Sequence, residues 1–374
     1  MTSAFNHTDL LATLAEIEPE SALAQARDTR DAATEHTQGS YNALFNSNEN
    51  LNDFPLHERL SLAQQIARWH GDIQLGAHYA ERLNALQSDA WVSRSRQQSA
   101  LAHAERLSFK PANATAEHLE ELQKAGWTLN SIVTLSQLIA YVSFQSRLLR
   151  GYRLINGKPT EDNGPHSVGA AFWRTDAKTH SGKKAPKAFT QDELNWEPWI
   201  ASKPLKDFNA EQQETLARFG HSDSDYFRLL ARNLPVLEQR TLTDKGIFFT
   251  PGGLPRKDRE LAAAVASKIN GCIFCASVHA RKAAQLSKNP EAVQRLLDTP
   301  PGDILSHGQE ARWQAEIDFS AALSATPATA NAQQIQQLRA LGLSDLELLD
   351  LVQSTAFFAW ANRLMLTLGE PFEK

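Results

Sequence analysis

Both cysteines of the chain, Cys272 and Cys275, lie in one short run, GCIFCASVHAR (Gly271–Arg281), and His279 follows four residues after the second. On a helix, positions three, four and seven apart share a face, so the two thiols and the imidazole fall on one stripe. The pair follows the break at Gly271 and so sits in a first helical turn, where unpaired backbone N–H groups favour an anion. Those groups and a nearby imidazole can bring a cysteine pKa from about 8.5 into the range of roughly 3.5–7.5. Glu260 stands on the preceding helix, and a hairpin turned at Gly271 brings its carboxylate back toward His279, to orient the ring and hold its proton. Thiol, base and a group that orients the base are the parts of an activated nucleophile. The second thiol adds what peroxide chemistry requires. A thiolate that attacks a peroxide oxygen becomes a sulfenic acid, and a neighbouring thiol condenses it to a disulfide before further oxidation.

The same residues admit other readings. Glu260, Cys272, Cys275 and His279 could close a zinc tetrahedron, although structural zinc sites usually draw on two separated ligand pairs. The two thiols could also simply be neighbours, or serve a non-enzymatic dithiol or zinc module acting in assembly or redox sensing. A c-type haem would need histidine straight after Cys275, where Ala276 stands. Thioredoxin-like chemistry would need a strand before the motif and a βαβ context, and neither is present.

The elements that must position these groups read as helices, and the expected fold class is all-α. Asp53–Leu86 reads as two helices around a break at His70-Gly71, Trp91–Leu107 as another, and Ala116–Leu154 as a pair split near Gly126-Trp127. Residues 1 to about 40 are polar, with helical periodicity only in DLLATLAEI. From Asn156 to about Pro204 periodicity is lost. This stretch reads as a linker or arm that packs on something, because it holds Trp173, Trp196 and Trp199. Helices resume in NAEQQETLARFG and SDYFRLLARNLPVLEQRTLTDKGIFF. They continue as RKDRELAAAVASKING, CIFCASVHARKAAQLS, Gly308–Leu323, Asn331–Leu341 and about Ser344–Leu368. No stretch alternates at period two with β-branched enrichment.

The two halves resemble each other. Leu122–Leu148 aligns without a gap on Leu338–Leu364, with identities that include Gly126/Gly342, Gln137/Gln353, Ala140/Ala356 and Arg147/Arg363. Upstream, Arg59 falls on Arg259, Ala63 on Ala263 and Gly71 on Gly271. The expected organisation is a tandem duplication: an N-terminal helical unit (1–155), an arm (156–208) and a second helical unit (209–374). In the first unit Asp72 stands at the place of Cys272, Leu75 at Cys275, Tyr79 at His279 and Leu60 at Glu260, and a small gap would bring Glu58 to the Glu260 place. His70 and His78 read as surface or cap residues. Arg147 and Arg363 read as structural cations at helix ends, and Phe357, Phe358 and Trp360 as core or pocket wall.

Composition bounds the function classes. The 374 residues are 42% hydrophobic and 22% charged with a formal net charge of −5, and the cluster Lys183, Lys184, Lys187 is too small to suggest a nucleic-acid surface. MTSAFNHTDLLATLAEIEPES lacks a basic run followed by an apolar core, so no signal peptide is expected, and Leu346–Leu368 carries too many polar residues for a membrane span. The expected compartment is the reducing cytoplasm, where a Cys-x-x-Cys is catalytic or metal-binding more often than structural.

At Glu260, Cys272, Cys275 and His279 the sequence resembles the alkylhydroperoxidase D / carboxymuconolactone decarboxylase family, through the pattern Glu-x11-Cys-x-x-Cys-x3-His. STAFFAWANRL (Ser354–Leu364) resembles that family's final core helix. The resemblance runs from Tyr226 to Gly369 and, by way of the repeat, weakly over Leu51–Leu154. It implies an all-helical bundle that assembles into trimers or hexamers, and a peroxidase that needs no cofactor or metal; from the duplication alone, a homo-oligomer that is a trimer of two-unit chains is expected. By the same resemblance Cys275 would be the peroxide-attacking thiolate, Cys272 the resolving thiol, His279 the base and Glu260 the start of a proton relay. A hydroperoxide would be the substrate, and a dithiol protein partner, often lipoyl, the reductant. Some members carry histidine directly before the second cysteine. Phe274 stands there in this chain, so a shorter relay and a more apolar pocket are expected. The decarboxylase branch lacks the cysteine pair.

Overall fold

The computed structural model describes residues 9–46, 50–86, 91–165 and 167–374. The opening residues, on which the signal-peptide reading partly rests, lie outside the described residues. The chain is built of helices, as the sequence leads one to expect. The first half holds α1 (Leu10–Leu14), α2 (Ala22–Thr29), α3 (Asp31–Phe45), α4 (Leu56–Trp69), α5 (Ile73–Ala85), α6 (Arg94–Phe109), α7 (Ala116–Lys124) and α8 (Leu129–Ile155). After the arm come α9 (Ala210–Arg218), α10 (Asp225–Leu230), α11 (Leu234–Phe248), α12 (Arg256–Asn270), α13 (Ile273–Ser287), α14 (Pro290–Asp298), α15 (Ala311–Ser324), α16 (Ala332–Ala340) and α17 (Asp345–Thr367). Among the described residues, strand is limited to the two-residue pair β1 (Asn50–Leu51) and β2 (Phe54–Pro55), and to β3 (Leu194–Pro198) antiparallel to β4 (Gly369–Glu373). No helix of the described residues is long and apolar enough to cross a membrane.

Local chemistry sets the helix ends. Asn209, Asn331 and Ser344 each cap a helix through a capping box, and Asp72 and Thr128 cap α5 and α8 through their side chains. The turn before α13 depends on Gly271, which has φ of 76°. A Cβ there would also come within 2.7 Å of Ala112 Cβ. Both the left-handed backbone and the close approach of the first half therefore require glycine.

Packing is organised by two crossings between the halves. α8 lies against α17, and both are buried along nearly their whole length. Trp360 meets Tyr141 edge-on at 5.2 Å and donates its indole N–H to Gln137 at 2.8 Å. α3 lies against α11, where a Cβ on Gly246 would stand 2.5 Å from the Ala33 nitrogen, so the two backbones touch only because that side chain is missing. Asp350 on α17 ties the crossings together. Buried, it accepts from Arg30 at 2.7 Å, Arg259 at 3.0 Å and the Leu254 N–H at 2.9 Å. Removing one member of such a buried network costs about 3–5 kcal/mol, because it leaves an uncompensated charge.

Several expectations need correction. Polar residues before position 40 do form helices, α2 and α3: α3 contains Gly39, Thr37 and Ser40, and its stability comes from tertiary contact with α11 rather than propensity. α14 is a helix that the sequence reading lacks; it starts at Pro290 behind an Asn289 cap and lies on α13. The arm is not wholly irregular, because it supplies β3. Arg147 does not end its helix, since α8 runs on to Ile155. Arg147 donates across the halves to the Ser324 carbonyl, and Arg363 donates in the opposite direction to the Ser108 carbonyl, each at 3.0 Å. His70 is the C-cap residue of α4, as the cap reading expects, but it is buried and bonds Ser143 at 2.9 Å, while half-buried His78 lies inside α5 and bonds the Tyr41 hydroxyl at 2.6 Å, so it is neither surface nor cap. Burial holds both imidazoles well below their ordinary pKa, His78 at about 4. Glu58 takes no Glu260-like place: it accepts from Arg96 and from the Val92 N–H.

Candidate active site

The α12–Gly271–α13 hairpin sets the site. Cys272 is the N-cap of α13 and Cys275 lies in its first turn. His279 follows one turn later, and the returning α12 brings Glu260 beneath it. The His279 Nδ1 stands 2.5 Å from Glu260 Oε2, and Glu260 Oε1 accepts from Arg256 Nε at 2.6 Å. Arg256 itself is held by the Phe248 carbonyl and by the face of Phe249 at 4.6 Å. Although burial opposes it, the bond and charge of His279, together with Arg256, keep the Glu260 carboxyl below its ordinary pKa, so it is a carboxylate. With Nδ1–H donated to a carboxylate, the imidazole keeps Nε2 as its second nitrogen for chemistry. Phe358 fixes the ring edge-on at 4.3 Å.

The two thiols are free and buried, Cys272 1% and Cys275 6% exposed, and they differ chemically. Burial, and the hydrogen bond and charge of Cys275 beside it, push the Cys272 thiol far up, although its sulfur accepts the Cys275 N–H. The Cys275 thiol is held down, first by the hydrogen bond from Cys272, then by the charge of His279, the Asn362 amide and the charge of Arg240. The backbone donor of the helix start therefore serves Cys272, while the influences that lower the Cys275 pKa come from side chains. Asn362 is held rigidly beside the thiols, because its amide donates to Ser267 at 3.0 Å and its carbonyl accepts from Asn270 at 3.0 Å.

A cleft of about 460 Å³ opens onto Cys275 and His279. Phe274, Phe357, Phe358 and Met365 form apolar wall, and Tyr226, Arg240 and Asp244 supply the polar groups. The Tyr226 hydroxyl is buried without a hydrogen-bond partner and burial pushes its pKa up, so it stays a proton donor. Asp244 has its carboxyl raised by burial. Arg240 lies over the Phe357 ring at 5.0 Å. Phe357 and Phe358 are thus both core and pocket wall, and Trp360 is core.

Sequence reasoning missed Asn362, Tyr226, Arg240 and Asp244. Asn362 lies inside the quoted STAFFAWANRL, where its amide among apolar neighbours was the available signal. Arg240 and Asp244 are one turn apart on α11, but nothing local says which face of α11 meets the thiols. The zinc alternative finds no support in the donor arrangement. Glu260 and His279 are engaged with each other, and among the described residues no group of three or more His, Cys, Asp or Glu side chains converges as a metal site.

The fold and this site together define an all-helical protein with a buried, asymmetrically polarised dithiol beside a carboxylate-braced histidine. The carboxymuconolactone decarboxylase family model matches residues 235–299, which hold Glu260, Cys272, Cys275 and His279. No curated protein matches the chain.

Proposed function

We propose that the chain is a thiol-dependent peroxidase that reduces hydroperoxides through Cys272 and Cys275, assisted by His279 and Glu260. The observation that carries this reading is geometric: Cys275 lines the cleft together with His279, whose Nδ1 is held by Glu260, and Cys272 stands at the N-cap of the same helix, three residues before Cys275. The Cys275 thiolate attacks the terminal peroxide oxygen, the O–O bond breaks, and the alkoxide leaves as alcohol with a proton from the cleft, where His279 and Tyr226 are the donors at hand. Cys275 is now a sulfenic acid. Cys272 attacks its sulfur, the S–O bond breaks, water leaves with the Cys272 proton, and a disulfide remains. A dithiol partner then returns two electrons. Peroxide consumption by Cys275→Ser against wild type tests the reading: loss of at least ~100-fold is expected of a missing nucleophile, and equal rates dismiss it.

The duplication belongs to the same reading. α4–Gly71–α5 stands to α8 as α12–Gly271–α13 stands to α17, and Asp72 caps α5 where Cys272 caps α13. Arg59 donates to the Phe54 and Leu44 carbonyls as Arg259 does to those of Leu254 and Ile247. The reciprocal bonds of Arg147 and Arg363 support two copies of one unit packed about a pseudo-twofold axis. The first copy then keeps scaffold without thiols.

A further inference from the structure

Arg240 on α11 lines the cleft onto which Cys275 and His279 open. It is only 4% exposed, and its Nε is buried without a hydrogen-bond partner. Arg27, Arg147, Arg228 and Arg363 bury Nε in the same way, but each sets a terminal nitrogen on an oxygen, of Asp9, Ser324, Asp225 and Ser108 respectively. Among the described residues Arg240 sets none. What it touches is aromatic: its guanidinium lies 5.0 Å from the Phe357 ring centre and 5.9 Å from that of Tyr226. Ring faces attract a cation, but a buried charge is costly until it is paired and hydrogen-bonded.

The acidic groups nearby leave it unpaired. Asp244, one turn on, lines the same cleft and forms no ion pair with Arg240 among the described residues, and burial raises its carboxyl. Asp225 at the mouth is taken by Ser202 at 2.7 Å and Arg228 at 2.6 Å. Asp223 is exposed, where water and salt screen it. The charge of Arg240 also lowers the Cys275 pKa, but one sulfur does not match the two coplanar oxygens that a guanidinium fork fits. The first half shows the same place without the cation. α3 and α11 are each 15 residues long and end on Phe45 and Phe248, so Thr37 falls where Arg240 stands. The half that lacks the thiols lacks this cation too.

We infer that the cleft takes the hydroperoxide of an apolar carboxylic acid, with the carboxylate on Arg240 and the peroxide on Cys275; this rests on the proposed thiol cycle and names its substrate class. Three features carry it. The unpartnered guanidinium fork offers two N–H groups to the two oxygens of a carboxylate. The walls beyond it, Phe274, Phe357, Phe358 and Met365, suit a hydrocarbon body. The volume of about 460 Å³ falls among small-molecule sites, which span about 300–1,000 Å³, whereas hydrogen peroxide, little larger than water, would leave most of it empty. A carboxylate held at Arg240 fixes one end of the molecule and so limits where its O–O group can lie.

The test uses the reduced, full-length protein and two pairs of probes. Para-carboxy cumene hydroperoxide is compared with its methyl ester for kcat/KM of peroxide consumption. Para-isopropylbenzoate, which carries no peroxide, is compared with its own methyl ester for binding by calorimetry. Wild type is expected to favour the acid over the ester at least ~10-fold in both, the order lost with a hydrogen bond to a charged group. Arg240→Gln is expected to abolish both preferences. The ester meets the same thiol as the acid, so an effect on Cys275 alone slows both and leaves their ratio standing. Equal consumption of acid and ester by wild type, or preferences that survive Arg240→Gln, overturns the inference. The wild-type comparison decides even if the variant fails to fold. The two proposals fail separately. Arg240-dependent binding of isopropylbenzoate without peroxide consumption sinks the peroxidase alone, and peroxide consumption indifferent to the carboxylate sinks the substrate class alone.

Discussion

His279 Nδ1 lies 2.5 Å from Glu260 Oε2, a contact made across the hairpin that Gly271 turns. It anchors the ring that is one of the influences holding the Cys275 thiol down. Glu260→Gln keeps the shape and removes the charge. The Cys275 titration midpoint, read from ultraviolet thiolate absorbance, is expected to move up, and the peroxide rate at neutral pH to fall by roughly 10–100-fold. An unchanged midpoint would show that the carboxylate does not act on the thiol.

Asn362 gives a separate test of the same polarisation. Asn362→Ala leaves Asn270 and Ser267 without their buried partner, at a cost of about 1–3 kcal/mol. It also removes an amide that lowers the Cys275 pKa. Denaturant midpoint and thiolate titration should therefore both respond. A stability loss with no movement of the titration would reduce Asn362 to a bracing role.

Cys272→Ser separates attack from resolution. One turnover of Cys275 is expected to survive, but the sulfenic acid has no thiol to condense with and proceeds to sulfinic acid under excess peroxide. Mass spectrometry of the Cys275 peptide reads this directly. A stable sulfenate in excess peroxide would mean that something other than Cys272 protects it.

The helices and the Gly271 hairpin were legible because their signals are local. The Asn270-Gly271 stop, the capping residues and the three-four spacing of Cys272, Cys275 and His279 all lie within a few residues. α3 was not legible, because its helix former is α11, some two hundred residues away in sequence. β3 was not legible either: LNWEP is five residues long and its partner is the C-terminal segment 369–373. The same limit hid Arg240 and Asp244, whose place in the cleft depends on how α11 docks. Arg147 was placed too near a helix end because α8 runs on through Leu148–Ile155, which is buried against other elements and so carries no stop signal.

Asp72, at the Cys272 place of the first half, makes stability depend on pH. Burial raises its carboxyl from 3.8 to about 7, despite the bond it accepts from the Leu75 N–H. The folded state thus holds the proton more tightly than the unfolded chain. This contribution is complete below about pH 4, is lost as pH rises toward 7, and is flat above. Asp72→Asn keeps the cap and removes the titration. It should match wild type near pH 4 and exceed it above pH 7, by on the order of 4 kcal/mol at most. Denaturant midpoints at the two pH values check this; an equal difference at both would contradict the assignment.

The most direct measurement is the mass of the peptide carrying Cys272 and Cys275 after the reduced, full-length protein meets a stoichiometric amount of hydroperoxide. Loss of two hydrogens without added oxygen, at the rate of peroxide consumption, is the expected result. Peroxide consumption with both thiols still reduced, or no consumption at all, would contradict a peroxidase working through this pair.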